Sequence, residues 1–238
     1  MATERRLERR FNKALADYGL IGDGDRVLVA LSGGKDSLFL LEMLARRSRI
    51  FKPQFVVEAV YVHMRNIAYE SDCSYLRQFA ESLGVKLHVI ETEFDPDTDK
   101  RKSPCFLCSW YRRKAIFNLA QQLGCNKLAL GHHNDDIMHT ALMNLVFHGH
   151  LSSMPPAYKL DKMPITIIRP LCLELESDIV VHAREAHYQK QKKLCPYEHD
   201  SRRSDIANIY NEIEQINPEA RYNIWHALGY VKKDRLVF

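Results

Sequence analysis

Val27-Leu-Val-Ala-Leu-Ser-Gly-Gly-Lys-Asp-Ser37 decides how the chain is read. Val27 to Leu31 is an unbroken apolar run with two β-branched residues, which suits a short strand buried on both faces of a parallel sheet. Ser32-Gly33-Gly34 forces a tight turn, and beyond it Leu38, Leu41, Met43, Leu44 and Ala45 recur at helical spacing. A strand, a glycine turn and a helix start gather backbone N–H groups and the positive end of a helix around one point, a ready anion site. Lys35 adds a mobile positive charge, and Ser32 and Ser37 add hydroxyls that bind phosphate oxygens.

The stretch is not a Walker loop, because Val29 stands where that pattern needs its first glycine and Asp36 follows the lysine. Ser-Gly-Gly-Lys-Asp-Ser directly after a buried strand instead resembles the pyrophosphate loop of the PP-loop ATPases. Members of that superfamily hold the β,γ-pyrophosphate of ATP and adenylate a carbonyl oxygen of the substrate.

Outward from this loop, the 238 residues suffice for one large α/β domain, or one domain with a small appendage. The balance of 34 basic against 30 acidic residues leaves +4, so nucleic-acid binding has to be argued from local clusters. No run approaches the ~18 apolar residues of a membrane span, and the charged start Met-Ala-Thr-Glu-Arg-Arg lacks a signal core. A cytoplasmic address without membrane contact is expected. Cysteines there serve metals or catalysis more often than disulfides.

Residues 4–18 read as a helix with Leu7, Phe11, Ala14, Leu15 and Tyr18 on one stripe. Arg5, Arg6, Arg9, Arg10 and Lys13 crowd the rest, either as a solvated face or as a grip on a phosphate backbone. Phe55 to Val62 forms a second strand ending at His63, and Leu76, Phe79, Ala80 and Leu83 mark a helix closed by Gly84. Val85 to Ile90 gives a third strand, followed by a charged loop from about Glu91 to Pro104. A helix from about Cys105 stops at Gly124, and Lys127 to Gly131 is a fourth strand. His132 to Asp136 opens another helix, which Met154-Pro155-Pro156 breaks off, and Ile165 to Ile168 makes a fifth strand. The remainder from Glu176 to Phe238 looks helical. Strands and helices alternating in this way predict an α/β fold: a parallel five-stranded sheet, helices on both faces and a helical C-terminal part.

In open parallel sheets ligands bind at the carboxyl ends of the strands. The phosphate loop follows strand one, His63 follows strand two, and Gly131-His132-His133-Asn134-Asp135-Asp136 follows strand four, so all three fall on one edge. Asp135 and Asp136 at a helix start suit either the Mg²⁺ carried by ATP, positioning of a target base, or simple N-terminal capping. His132, His133 and His139 offer a metal site, ranked below a structural or ATP-contacting role.

Cys105-Phe106-Leu107-Cys108 is a CxxC at a helix N-terminus, where the dipole and Arg112, Arg113 and Lys114 favour thiolates. Cys195 lies far downstream in a polar setting, Lys192-Lys193-Leu194-Cys195-Pro196. Cys105, Cys108, Cys195 and His199 would make a closed Zn²⁺ site. Alternatively the three cysteines ligate a [4Fe–4S] cluster with one iron open to sulfide. Cys73, Cys125 and Cys172 have no ligand spacing and read as packing residues.

The order of phosphate loop, Cys-x-x-Cys-x-x-x-Arg-Arg, Gly-His-His-x-Asp-Asp, Met-Pro-Pro, Ile-Arg-Pro-Leu and a late Leu-Cys resembles the tRNA 2-thiocytidine synthetases over roughly residues 10–205. The resemblance implies a PP-loop (HUP-like, adenine-nucleotide α-hydrolase-like) domain at 26–172, between a basic helix at 1–25 and a helical segment at 173–238 that supplies Cys195. It implies an ATP-dependent sulfurtransferase acting on a cytidine in the tRNA anticodon loop. Carried over, Cys105, Cys108 and Cys195 hold the cluster, and Ser32, Gly33, Gly34, Lys35, Asp36 and Ser37 hold the phosphates. Ala30, His63, Gly131 and Asp136 complete the nucleotide site, and Arg112 or Arg113 faces the reacting groups. The partners implied are tRNA and a sulfur donor such as a cysteine desulfurase; a homodimer is admitted. Members often carry a second CxxC around the late cysteine, and here the earlier position is Lys192. Two other readings stay open: a PP-loop enzyme of the lysidine type with structural zinc, and a non-catalytic zinc-bearing RNA-binding module.

Overall fold

The Val27–Leu31 run becomes the centre of the protein. In the computed structural model, which describes residues 2–69, 72–98, 100–195 and 202–229, strand β1 (Arg26–Ala30) buries Val27, Leu28 and Val29 completely. Helix α1 (Ala2–Asp17) precedes it and α2 (Lys35–Ser48) follows. The chain continues through β2 (Val56–Met64), β3 (Ala68–Tyr69), α3 (Ser74–Ser82), β4 (Lys86–Thr92), α4 (Pro104–Gln122) and β5 (Lys127–Ala129). After α5 (Asn134–His148), β6 (Ala157–Lys159) and β7 (Thr166–Ile168) come α6 (Glu176–Glu185), β8 (Lys193–Leu194), α7 (Arg202–Ile216) and α8 (Ala220–Gly229).

The main sheet has the order β4-β2-β1-β5-β7-β6. The five strands expected from the sequence all pair in parallel. A sixth, β6, is added antiparallel to β7 at the edge. Its three residues are exposed and follow Pro155-Pro156, so they lack the alternation that marks a strand in a sequence. The C-terminal part is also less uniformly helical than expected. Residues 188–195 carry no helix, and β8 within them pairs antiparallel with β3.

The helix closures follow from local chemistry. Gly84 and Gly124 adopt φ +67 and φ +64, and the residues after them bond back to Ala80 and Ala120. This is the left-handed cap that glycine supplies without strain. The α1 stripe buries Leu7, Phe11 and Ala14 at no more than 1% exposure, and Leu7 and Phe11 share one cluster with Val27, Leu38 and Leu41. Each large side chain there contributes roughly 1.5–3 kcal/mol of apolar burial. A second cluster on the other face of the sheet joins Leu28 and Val60 to Leu107, Ile116 and Ala120 of α4.

Two compact units are present, one of Met1–His133 with Pro156–Glu198 and one of Asn134–Pro155 with His199–Phe238. The first carries both core clusters. In the second, α5, α7 and α8 pack together around Tyr210, which is completely buried. No helix among the described residues is long and apolar enough to cross a membrane.

Candidate active site

Where β1 runs out, the chain turns on Gly33, whose φ of +82 favours glycine. A Cβ at Gly33 would also lie 2.3 Å from that of Gln191, whose N–H donates to the Gly33 carbonyl at 2.9 Å. The segment leading to Cys195 is thus laid directly on the phosphate loop. Within the loop, the Ser32 N–H donates to the Ser37 hydroxyl at 3.2 Å and the Gly34 N–H to the Ser32 hydroxyl at 3.3 Å. Ser37 in turn donates to the Gly34 carbonyl at 2.9 Å. These bonds fix the turn before any anion arrives.

Lys35 opens α2. Its ammonium lies 3.2 Å from Asp36 Oδ2 and 2.8 Å from Glu176 Oε1 of α6. Burial disfavours the charged amine, but the hydrogen bond to Glu176 and the charges of Asp36 and Glu176 outweigh it and raise its pKa above the ordinary lysine value. The other carboxylate oxygen, Asp36 Oδ1, is buried without a hydrogen-bond partner among the described residues, 3.8 Å from His133 Nε2. Gly131 explains the closeness of the β5 end: a Cβ there would meet the backbone of Asp36 and Ser37 at 3.2 Å.

Beside the loop opens a cavity of about 260 Å³. Ala30, Ser32 and Gly34 form its floor, Val60 to Val62 of β2 one wall, and Arg112 and Ile116 of α4 another, with Lys190 and Gln191 at its edge. Arg112 Nε is buried with no hydrogen-bond partner among the described residues. Such a donor, facing a cavity, fits an anionic ligand. His63 is half-buried on β2, its ring 4.6 Å from that of Tyr69, which lines the same cavity.

Of the expected site residues, Ala30, Ser32, Gly34 and Arg112 share the cavity, while Gly33, Lys35, Asp36, Ser37 and Gly131 adjoin it through the loop. Arg113 is exposed, and its Nε donates to the Ser109 carbonyl of its own helix. Asp135 and Asp136 lie in the first turn of α5 in the second unit. Asp135 accepts from Arg221 of α8 at 2.7 Å, and the same guanidinium reaches Asn134 and Glu214, so Asp135 anchors that unit. His139 packs edge-on to Tyr210 there.

The CxxC sits where the sequence puts it. Ser103 caps α4 by accepting from the Phe106 N–H, and Cys105 and Cys108 occupy the first turns, one exposed and one half-buried. Cys108 and Cys195 pack against the same apolar cluster, so the β3–β8 pairing and the Gln191 contact bring the late cysteine to the α4 side of the sheet. No described cysteine is in a disulfide, and thiolates are the soft ligands that iron–sulfur clusters take. Among the described residues no three metal-ligating side chains are drawn into one group. His199 and Pro196 lie outside the described residues. By contrast Cys125 and Cys172 are buried packing residues; burial pushes the thiol of Cys172 up to about 12.

Sequence reasoning missed Gln191 on Gly33 and Glu176 on Lys35. Lys190, too, lines the cavity. Their signal is non-local, spanning at least 141 residues for Lys35 and Glu176.

A sequence model of the PP-loop domain matches residues 3–193. The chain is 37% identical over 236 residues to the tRNA-cytidine(32) 2-sulfurtransferase of Geobacter sulfurreducens, covering 96% of this chain and 90% of that protein. It is 37% identical to the protein of that name from Pelobacter propionicus, covering 98% of this chain and 88% of the relative. Among solved structures, the U34-tRNA thiolase NcsA of Methanococcus maripaludis with its [4Fe-4S] cluster superposes with a TM-score of 0.77 at 24% identity, covering 97% of this chain and 80% of that one. At that identity the likeness is one of fold.

Proposed function

The chain belongs to the PP-loop family, and within it to the tRNA-cytidine 2-sulfurtransferases; from that premise we propose how its residues carry out ATP-dependent thiolation of tRNA. The target is a cytidine of the anticodon loop. ATP lays its β,γ-phosphates on Ser32 to Ser37, where the free N–H groups at the start of α2 and the Lys35 ammonium meet their charge. Asp36 Oδ1, buried without a hydrogen-bond donor among the described residues, fits the Mg²⁺ that accompanies ATP. Ala30 and His63 flank the nucleoside, and the missing side chain at Gly131 lets β5 close on the loop.

The unpaired pyrimidine enters the cavity, where its O2 attacks the α-phosphate of ATP and pyrophosphate leaves. Arg112 holds the charge that develops on that phosphate. Adenylation turns a poor leaving oxygen into AMP, so sulfide added at C2 expels AMP. Cys105, Cys108 and Cys195 would hold a [4Fe–4S] cluster, which would supply the iron chemistry for delivering sulfide. The sulfur comes from a donor of the cysteine desulfurase type, whose persulfide sulfur a thiol reductant releases as sulfide, the thiols ending as a disulfide.

One observation carries this reading: a single helix, α4, bears the Cys105/Cys108 pair in its first turns and Arg112 on the wall of the cavity beside the phosphate loop. The test is 2-thiocytidine formation from tRNA, ATP and sulfide without oxygen, followed by mass spectrometry, alongside tRNA-dependent ATP–pyrophosphate exchange. Cys105→Ser, Cys108→Ser and Cys195→Ser should each abolish thiolation while exchange persists. Thiolation that survives Cys105→Ser overturns the thiol assignment, and absence of exchange in the intact protein overturns the adenylation step.

A further inference from the structure

α4 has a face that neither the core nor the cavity uses. Leu107, Ile116 and Ala120 are buried, and Cys108 and Tyr111 pack on the second core cluster. On the outer side stand Phe106 and Trp110, one turn apart and 44% and 43% exposed. Each ring carries an ammonium on its face: Lys102 lies 4.9 Å from the Phe106 centroid and Lys114 5.2 Å from that of Trp110. Arg113 is exposed on the same side. The 19 residues of α4 include no aspartate or glutamate, and among the described residues no carboxylate pairs with Lys102, Arg113 or Lys114. Two exposed rings in a field of cations, without a counter-charge, match the chemistry of single-stranded nucleic acid, which offers flat π-faces and phosphates together. An anionic lipid surface also pairs rings with cations, and the hairpin-against-duplex titration separates it from an unpaired base.

We propose that Phe106 and Trp110 form a stacking platform for unpaired bases flanking the target nucleotide of the tRNA loop, with Lys102, Arg113 and Lys114 taking the adjoining phosphates. This rests on the tRNA-thiolation reading. A base that stacks on each ring replaces the ammonium, which moves to the phosphate of that nucleotide. Arg112, on the same helix, faces the cavity, so a loop held on the outer side of α4 delivers its extruded base beside Arg112. Arg113, expected from the sequence to face the reacting groups, is assigned to the RNA instead.

The protein has two tryptophans, so the Trp225→Phe chain leaves Trp110 as the sole reporter. Titration with an RNA hairpin bearing an unpaired anticodon-type loop should quench its fluorescence, whereas a fully paired duplex of equal phosphate count should not. Trp110→Ala should weaken hairpin binding roughly 10-fold, leave ATP affinity unchanged, and be rescued to within about 3-fold by Trp110→Phe. Replacing Lys102, Arg113 and Lys114 by alanine should reduce the slope of log K against log salt by about 2. Hairpin binding that leaves Trp110 fluorescence unchanged, or that Trp110→Ala does not weaken, overturns the platform while tRNA thiolation stands. Hairpin and whole tRNA that both fail to bind overturn the platform and the reading beneath it. A dimer that Trp110→Ala converts to monomer shows that a second copy of the chain covers this face, and overturns the platform too.

Discussion

Two charged regions of the first unit treat their charges in opposite ways. Between α1, α2 and α6 most charged side chains satisfy one another; the exception is Glu174, whose carboxylate oxygens are buried without hydrogen-bond partners among the described residues. Asp178 accepts from Arg6 at 2.9 Å and from Arg10 at 2.6 Å. Glu42 takes Arg46, Tyr188 and, at 3.2 Å, His182. Burial works against the Glu42 carboxylate, yet these partners hold its pKa below the ordinary value. At the carboxyl ends of the strands, Asp36 Oδ1 and Arg112 Nε are buried without hydrogen-bond partners among the described residues, and Lys35 leans on a half-exposed glutamate. Burying a charge costs several kcal/mol unless something compensates it. In the helical layer the protein compensates most of that charge; at the sheet end the buried Asp36 and Arg112 atoms fit a charged ligand. Arginine alone therefore marks neither region: Arg6 and Arg10 look like a nucleic-acid grip in the sequence but hold α6 onto α1, leaving Arg5 and Arg9 of that helix for solvent or phosphate.

The contrast breaks most sharply at Lys35. Lys35→Ala should lower kcat/KM for tRNA thiolation by roughly 100- to 1000-fold, about 3–4 kcal/mol of transition-state stabilisation, while leaving the melting temperature almost unchanged. In the helical layer the pattern should invert. Asp178→Ala removes the shared acceptor of two guanidinium groups and should cost about 1–2 kcal/mol of stability in urea titration, with the rate per folded molecule unaltered. A stable but inactive Asp178→Ala protein would erase the distinction.

What the sequence made legible was local. The buried run at Val27, the turn at Gly33-Gly34, the closures at Gly84 and Gly124 and the CxxC at a helix start are patterns within a dozen residues, set by backbone geometry and periodicity. The five parallel strands follow from those pieces. What escaped was pairing across distance: Arg6 with Asp178, Lys35 with Glu176, Asp135 with Arg221, Gln191 with Gly33, and the two-residue ladder β3–β8. None of these leaves a periodic trace. The sequence left Asp135 open between Mg²⁺, positioning of a target base and capping, because a carboxylate at a helix start fits each of these, and only the fold reveals Arg221 beside it.

Glu174 sharpens the contrast, because it is the member of the helical layer that burial wins. It is completely buried, and burial pushes its carboxyl up to about 8, against the pull of Arg10 and with the repulsion of Asp178. Between the ordinary glutamate value and about 8 the folded chain keeps a proton that the unfolded chain has lost. Stability from this group is therefore fully present in acid and falls as pH rises through that window. Unfolding free energy should drop by about 1.4 kcal/mol between pH 6 and pH 7 on its account. Glu174→Gln, permanently neutral, should flatten that slope, measured as urea midpoints at successive pH values.

The smallest expected effect sits where the two regions meet. Glu176 belongs to α6, whose next acidic residue is Asp178, yet its carboxylate holds the catalytic-end ammonium of Lys35. Because the pair is partly exposed, at 30% and 48%, it is worth no more than about 1 kcal/mol. Lys35 has to leave Glu176 before it can meet a phosphate, so that energy is charged against ATP binding. Glu176→Gln should then lower KM for ATP by up to about 5-fold with kcat and melting temperature unchanged. A fall in kcat instead would place Glu176 among the groups that act on the bound nucleotide, and the boundary between the self-satisfied layer and the ligand-satisfied one would move outward by one turn of α6.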